Sequence, residues 1–173
     1  MRRVPALGKH RHMTDAPPLL IAWHSRTGGS EVLARAAAEG AATARLIAAA
    51  DVTPDDLLAA GGYLFIGPEN LAALSGAMKE MFDRNYYPCL GRLEGRPYAT
   101  IICAGSDGHG ALRQLDRIAT GWRLKRVAEP VIVNTAAQTP EAILAPKTIP
   151  ATRLAEARDL GAALAEGIAA GIF

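Results

Sequence analysis

Three-to-five-residue runs of unbroken apolar side chains alternate with longer stretches in which apolar residues return every three or four positions. Leu19 to Trp23, Tyr63 to Ile66 and Val131 to Val133 are the clearest runs, and Tyr98 to Cys103 is broken only by Thr100. Their lack of alternation predicts strands covered on both faces, as in a parallel sheet. Arg45 to Ala49 adds a shorter strand. The helical period predicts a helix from about Ser30 to Gly40, with Val32, Leu33, Ala36, Ala37 and Gly40 on one face. Its small residues suit close packing on the sheet. Thr53-Pro54-Asp55-Asp56 opens a short helix with a capping hydroxyl, a proline at the first helical position and two acids. Further helices are predicted from Ser75 to Arg84, from about Gly110 to Ala119, and from Pro150 to about Ala169. Gly67-Pro68-Glu69-Asn70 is expected to break the third strand. Residues 134–149 link the last strand to the last helix, and Thr139-Pro140-Glu141 starts a helical turn inside that link.

Five strands alternating with five helices predict an α/β fold, a doubly wound parallel sheet with helices on both faces. Right-handed crossovers leave few topologies. Ligands of such sheets bind at the carboxyl ends of the strands, where the winding reverses. The loops after strands 1, 3 and 4 are therefore the ones to read for chemistry.

Composition changes this picture little. With 173 residues, half of them apolar and about a fifth charged, the chain is expected to form one soluble domain over residues 18–173. No apolar run approaches the roughly 18 residues of a membrane span. The charge is uneven. Arg2, Arg3, Lys9 and Arg11 lie in a stretch without acids, and the remaining 15 basic side chains stand against 17 acidic ones. Residues 1–17 read as a disordered basic tail, or as a consequence of a start upstream of Met13, rather than as a nucleic-acid-binding arm. The nearly neutral body argues against a nucleic-acid partner. Cys89, expected in a loop after Pro88, and Cys103, expected in the core, form no metal-ligand cluster. They suit free thiols in a reducing cytoplasm.

The candidate chemistry begins at Ser25-Arg26-Thr27-Gly28-Gly29-Ser30, between the first strand and the first helix. Hydroxyls, glycines and the N–H groups of residues 26 to 30 make a cradle for one terminal phosphate. A tight strand–helix turn with a cap is the plain alternative. The loop has neither the lysine-bearing pattern of nucleotide triphosphatases nor GxGxxG, which disfavours a triphosphate and a classical dinucleotide. Arg26 either adds charge or faces solvent.

His24-Ser25-Arg26-Thr27-Gly28-Gly29-Ser30 resembles the FMN-phosphate loop of the flavodoxin-like family. Gly67-Pro68-Glu69-Asn70 with Ser75-Gly76-Ala77-Met78-Lys79 and Phe82-Asp83-Arg84 is similar to the second-loop pattern of its NAD(P)H-dependent FMN reductases. The same holds for the quinone reductases once called tryptophan-repressor-binding proteins. Ala104-Gly105-Ser106-Asp107-Gly108-His109 resembles their glycine-rich third loop. The resemblance implies a three-layer flavodoxin-like fold with five parallel strands in the order 2-1-3-4-5. It also implies noncovalent FMN and electrons passed from NAD(P)H to a quinone or similar small acceptor. The phosphate would sit at Ser25–Ser30. The ring would lie between Pro68, Glu69, Asn70 and Leu71 on one side and Ala104 to His109 on the other. N–H groups around Gly105–Gly108 would face its pyrimidine carbonyls. A cytoplasmic homo-oligomer, dimer or tetramer, is the implied state, with Tyr86, Tyr87 and Trp122 as interface candidates. Classical ring-stacking aromatics are missing from the second and third loops, which favours an open ring face. His109 is a candidate proton donor, with a helix-start residue as the alternative. Asp107 reads as a turn residue and His24 as a structural neighbour of the phosphate loop. A one-electron carrier and a non-catalytic binding module are the competing readings.

Overall fold

A computed structural model describes residues 16–173. The expectations for the basic tail, Met13 included, fall almost entirely outside the described residues. The elements run β1 (Leu19–Trp23), α1 (Gly29–Gly40), β2 (Arg45–Ala48), α2 (Pro54–Ala59), β3 (Gly62–Asn70), β4 (Ala73–Leu74), α3 (Gly76–Cys89), β5 (Pro97–Ala104), α4 (His109–Gly121), β6 (Lys125–Arg126), β7 (Val131–Asn134), α5 (Pro140–Leu144) and α6 (Ala151–Ala170). The central strands lie in the order β2-β1-β3-β5, all parallel. Two short strands share the far edge of β5: β6 pairs Pro97 and Tyr98, and β7 pairs Ile101 to Ala104. Counting β7 as the fifth strand, this is the expected 2-1-3-4-5 winding, with its reversal between β1 and β3.

Side chains of each strand alternate between two cores, the period-two rule expressed inside unbroken apolar runs. Leu20, Ala22, Tyr63, Phe65, Tyr98 and Ile102 pack under α2, α3 and α4. Leu19, Ile21, Leu64, Ile66, Ala99 and Ile101 pack under α1 and α6. Phe65 lies in the middle of the first core, stacked on Tyr63 and edge-on to Phe82.

The small face of α1 serves a helix more than the sheet. A Cβ on Gly40 would lie 2.1 Å from the Arg158 carbonyl oxygen, and one on Gly161 would lie 2.1 Å from that of Ala37. The backbones of α1 and α6 therefore meet where side chains would hold them apart. This contact fixes α1, and with it the loop that precedes it.

Three expectations are corrected. The third strand does not break at Gly67-Pro68. β3 runs on to Asn70 because Pro68 pairs with Cys103 of β5, while β1 on the other side ends its pairing at Ile66. The missing proline N–H therefore falls where no β1 residue is paired. The third helix does not end at Arg84, and Cys89 is not in a loop. Asn85 is fully buried in α3, and its amide donates to the Met81 and Val52 carbonyls. Arg84 donates to the carbonyls of Ala49 and Ala50. These ties hold α3 helical to Cys89. Trp122 is not an interface residue: it is buried edge-on against Phe82 at a ring-centroid distance of 5.2 Å. Tyr86 and Tyr87 are exposed on α3. Both cysteines are free thiols, as expected, and no described helix is long and apolar enough to cross a membrane.

The helix contact yields a prediction. Gly161→Ala must displace the backbone of α1 or α6, and overpacking of this kind costs about 1–3 kcal/mol. Urea unfolding should show a lower midpoint at unchanged slope; an unchanged midpoint would contradict the close approach.

Candidate functional site

Beyond the carboxyl ends of β1, β3 and β5 lies a cleft of about 900 Å³. The first loop forms one wall. β1 ends at Trp23, and Gly28 turns the chain with φ 86° directly into α1. A left-handed residue at that point costs glycine little and other residues more. The turn aims the first N–H groups of α1 at the cleft, and no backbone carbonyl among the described residues accepts from the N–H groups of residues 26 to 30. Ser30 is 1% exposed, and its Oγ has no hydrogen-bond partner among the described residues. Burial pushes the neighbouring Cys103 thiol up, over the opposing pulls of Lys147 and of the Ser30 hydroxyl. A buried hydroxyl without a partner is costly. Its position beside open helix-start N–H groups marks a place for an anion.

His24 joins this loop to the next. Its Nδ1 lies 2.8 Å from Ser75 Oγ, and that oxygen accepts from the Met78 N–H as the cap of α3. The hydroxyl can donate to Nδ1 or accept from it while still capping α3, so either imidazole tautomer keeps the contact. Burial, and then the charge of Arg26, hold the imidazole below its ordinary value. His24 is neutral at pH 7 and braces the second loop against the first.

The second loop is a hairpin. Asn70 pairs with Ala73 and Glu69 with Leu74, leaving Leu71 and Ala72 as the turn. Their φ values are 51° and 59°, the left-handed geometry of a type I′ turn that Asn-Gly prefers. Here a leucine and an alanine adopt it, and Leu71 projects fully into solvent at the cleft. Glu69 lines the cleft and turns its carboxylate onto the start of α4. Its carboxylate accepts from the N–H groups of Gly108 at 2.7 Å, Gly110 at 3.0 Å and Ala111 at 3.2 Å. It caps α4 from a different strand.

The third loop is held from behind. Asn134 donates to the Ser106 carbonyl, Thr135 Oγ1 to Ala104 at 3.1 Å, and Gln138 to Gly105 at 3.1 Å. Asp107 accepts from the His109 N–H, a local turn bond, and His109 is the exposed first residue of α4.

Of the residues singled out from sequence, Ser25, Arg26, Thr27, Gly29, Ser30, Pro68, Glu69, Asn70, Leu71, Ala104, Gly105 and Ser106 line the cleft together. Arg26 is exposed there. Gly28 shapes the turn without lining it. Asp107, Gly108 and His109 do not line it. The expectation that the Gly108 N–H faces a ligand carbonyl is corrected: Glu69 has taken it.

Cys103, Thr135, Ala137, Ile143, Leu144 and Lys147 also line the cleft and were missed as site residues. Most belong to the 134–149 link. Its length was the available signal, because long connections in compact domains are usually functional. The Lys147 N–H donates to the Thr27 carbonyl at 2.8 Å, and its Nζ caps the carbonyl end of α5 through Ala142 and Ile143. A Cβ on Gly29 would lie 2.8 Å from Cys103 Sγ and 3.2 Å from Lys147 Cβ.

No protein-family model and no curated protein matches the sequence. Solved structures match in shape. A flavodoxin from the domain Archaea aligns with a TM-score of 0.70 at 15% identity, over 87% of this chain and 98% of its own. A flavodoxin, WrbA-like protein from Agrobacterium tumefaciens aligns at 0.66 and 20% identity, over 88% and 98%. Rubredoxin oxygen:oxidoreductase from Desulfovibrio gigas aligns at 0.69 and 15% identity, over 92% of this chain and 39% of that one. The chain has the flavodoxin-like fold.

Two predictions follow from this geometry. A depressed His24 means the unfolded chain binds a proton the folded one resists. Stability should fall as pH drops through about 6.5, the ordinary histidine value, until the folded value is passed. His24→Gln should flatten that part of a stability–pH curve; an identical curve would remove His24 as the cause. In the hairpin, Leu71→Asn with Ala72→Gly should raise stability by about 1–2 kcal/mol by relieving left-handed strain, read from denaturant midpoints.

Proposed function

We propose that this protein is a redox flavoprotein that holds FMN noncovalently in the cleft. The observation carrying this reading is the open start of α1, with the buried, unpartnered Ser30 Oγ beside it. The residues present fit a phosphate: neutral hydroxyl and N–H donors converge without a competing carboxylate. They fit one phosphate better than several, since Lys147 is engaged with the carbonyls of α5. Ser25, Thr27 and Ser30 with the N–H groups of residues 26 to 30 would hold it. Asn70, Leu71, Ala104, Gly105 and Ser106 would border the ring. The shared fold of flavodoxins and a WrbA-like flavodoxin supports this assignment.

FMN, when bound, supplies hydride acceptance and onward electron release. The protein's part is to bind, orient and shield. We infer that NAD(P)H is the donor and a quinone or similar flat molecule the acceptor. None of the described cleft-lining residues is aromatic, so no side chain there stacks over a ring and a second planar molecule has access. Exposed Leu71, Ile143 and Leu144 offer it apolar contact. The same openness disfavours a dedicated electron carrier, whose ring faces are typically covered.

Removing an unpartnered buried oxygen leaves stability unchanged or raised. Ser30→Ala should therefore fold normally yet bind FMN about tenfold or more weakly, the value of a hydrogen bond to a charged group. Riboflavin, lacking the phosphate, should bind both forms alike. Fluorescence titration measures all four affinities. Wild-type protein that takes up no FMN even in excess would end this reading. Bleaching of bound flavin by NADH or NADPH without oxygen supports the enzyme; inertness toward both favours the carrier.

A further inference from the structure

Two helices begin at this end of the sheet in the same way. α1 follows Gly28 at φ 86° and α4 follows Gly108 at φ 91°; neither glycine has a side chain to cap with, and at α4 Asp107 accepts from the His109 N–H. Each start presents unpaired N–H groups and the positive end of a helix dipole. The fold therefore builds two anion-binding positions. At α1 the position is open and carries the orphaned Ser30 Oγ. At α4 it is filled by the Glu69 carboxylate, with three N–H groups donating to its two oxygens.

The filling is structurally enforced. Glu69 lines the cleft, whereas Gly108, Gly110 and Ala111 do not, so the carboxylate stands between the cleft and the start of α4. A Cβ on Gly110 would lie 2.1 Å from the Ala72 carbonyl oxygen and 3.1 Å from Glu69 Oε1. The hairpin therefore sits directly on the helix end. Gln114 Oε1 accepts from the Leu74 N–H at 2.8 Å and pins the hairpin from a second point. The carboxylate carries the charge a bound anion would bring, in the place where that anion would bind.

We propose that Glu69 is a specificity-determining residue: it occupies the second anion position, so that the cleft accepts a ligand with one phosphate, at α1, and an uncharged head toward the third loop. A ligand with a negative group at the α4 end meets a carboxylate instead of open N–H groups and is refused. The α1 half of this proposal rests on the FMN reading above; the α4 half stands on the Glu69 geometry alone.

The test uses inorganic phosphate and the full chain, wild type against Glu69→Ala, with amide shifts read by ¹⁵N NMR. Phosphate should move the amides of residues 26 to 30 in both proteins. It should move Gly108, Gly110 and Ala111 in Glu69→Ala and leave them still in wild type. Binding stoichiometry should rise from one to two. If removing the carboxylate weakens the fold, phosphate should restore it. At a concentration about a hundredfold above its Kd, the variant's melting temperature should rise by about 5–10 °C beyond the wild-type shift. Chloride at equal ionic strength serves as control. A variant in which phosphate neither moves the α4 amides nor raises the melting temperature beyond wild type overturns the proposal. The two readings fail separately. Wild type that binds no phosphate, with a variant that gains one equivalent at α4, removes the α1 site and keeps the role of Glu69. Wild type that binds one, with a variant that gains none, does the reverse.

Discussion

Backbone N–H groups at the start of a helix have no acceptor within the helix and must find one elsewhere. Because β1 and β5 run parallel within the sheet, the helices that follow them, α1 and α4, both start at one end of it. The structure answers the same demand in two ways. At α4, Glu69 reaches across from β3 and closes the helix, which also ties the second loop to the third. At α1 no described residue closes it, and a buried hydroxyl is left beside it without a partner among the described residues. The asymmetry gives the cleft a direction, with an anion-seeking end and an end already neutralised.

The cleft walls are held by contacts outside them. α1 is located by its backbone-to-backbone approach to α6, which Gly40 and Gly161 permit. α6 also sets the path of the link before it, since the chain must return from β7 at one edge to the far side of α1. That return crosses the phosphate loop and lays Lys147 against Thr27 and Gly29. His24 braces the other side through Ser75. A loop of small, flexible residues is thus fixed by its surroundings rather than by its own conformational preference.

Much of the fold was legible because its causes are local. Unbroken apolar runs marked the buried strands, and Thr53-Pro54-Asp55-Asp56 marked α2, where the reciprocal Thr53–Asp56 capping bonds are present. Where the reading failed, a distant partner outweighed a local breaker. Pro68 remained in β3 because β5 continued to pair it. Pro88 remained in α3 because Asn85 and Arg84 anchored that helix to residues 49–52. The turn at Leu71-Ala72 carries no Gly or Asn to announce it; pairing of the flanking residues imposes it.

By itself the sequence determined the alternation of strands and helices, the layered architecture and the phosphate-sized first loop. Apolar period, capping residues and glycine spacing act within a few positions of one another, so they can be read along the chain. Tertiary structure alone decided the electrostatics of the site. Glu69 read as a charge beside the ligand until its carboxylate was found 2.7 Å from the Gly108 N–H, thirty-nine positions away. Ser30 read as one hydroxyl of the phosphate loop; the fold buries its Oγ without a hydrogen-bond partner among the described residues. Hydrogen bonding and desolvation depend on what surrounds a group in three dimensions, and that is settled only when the sheet and its helices have closed around it.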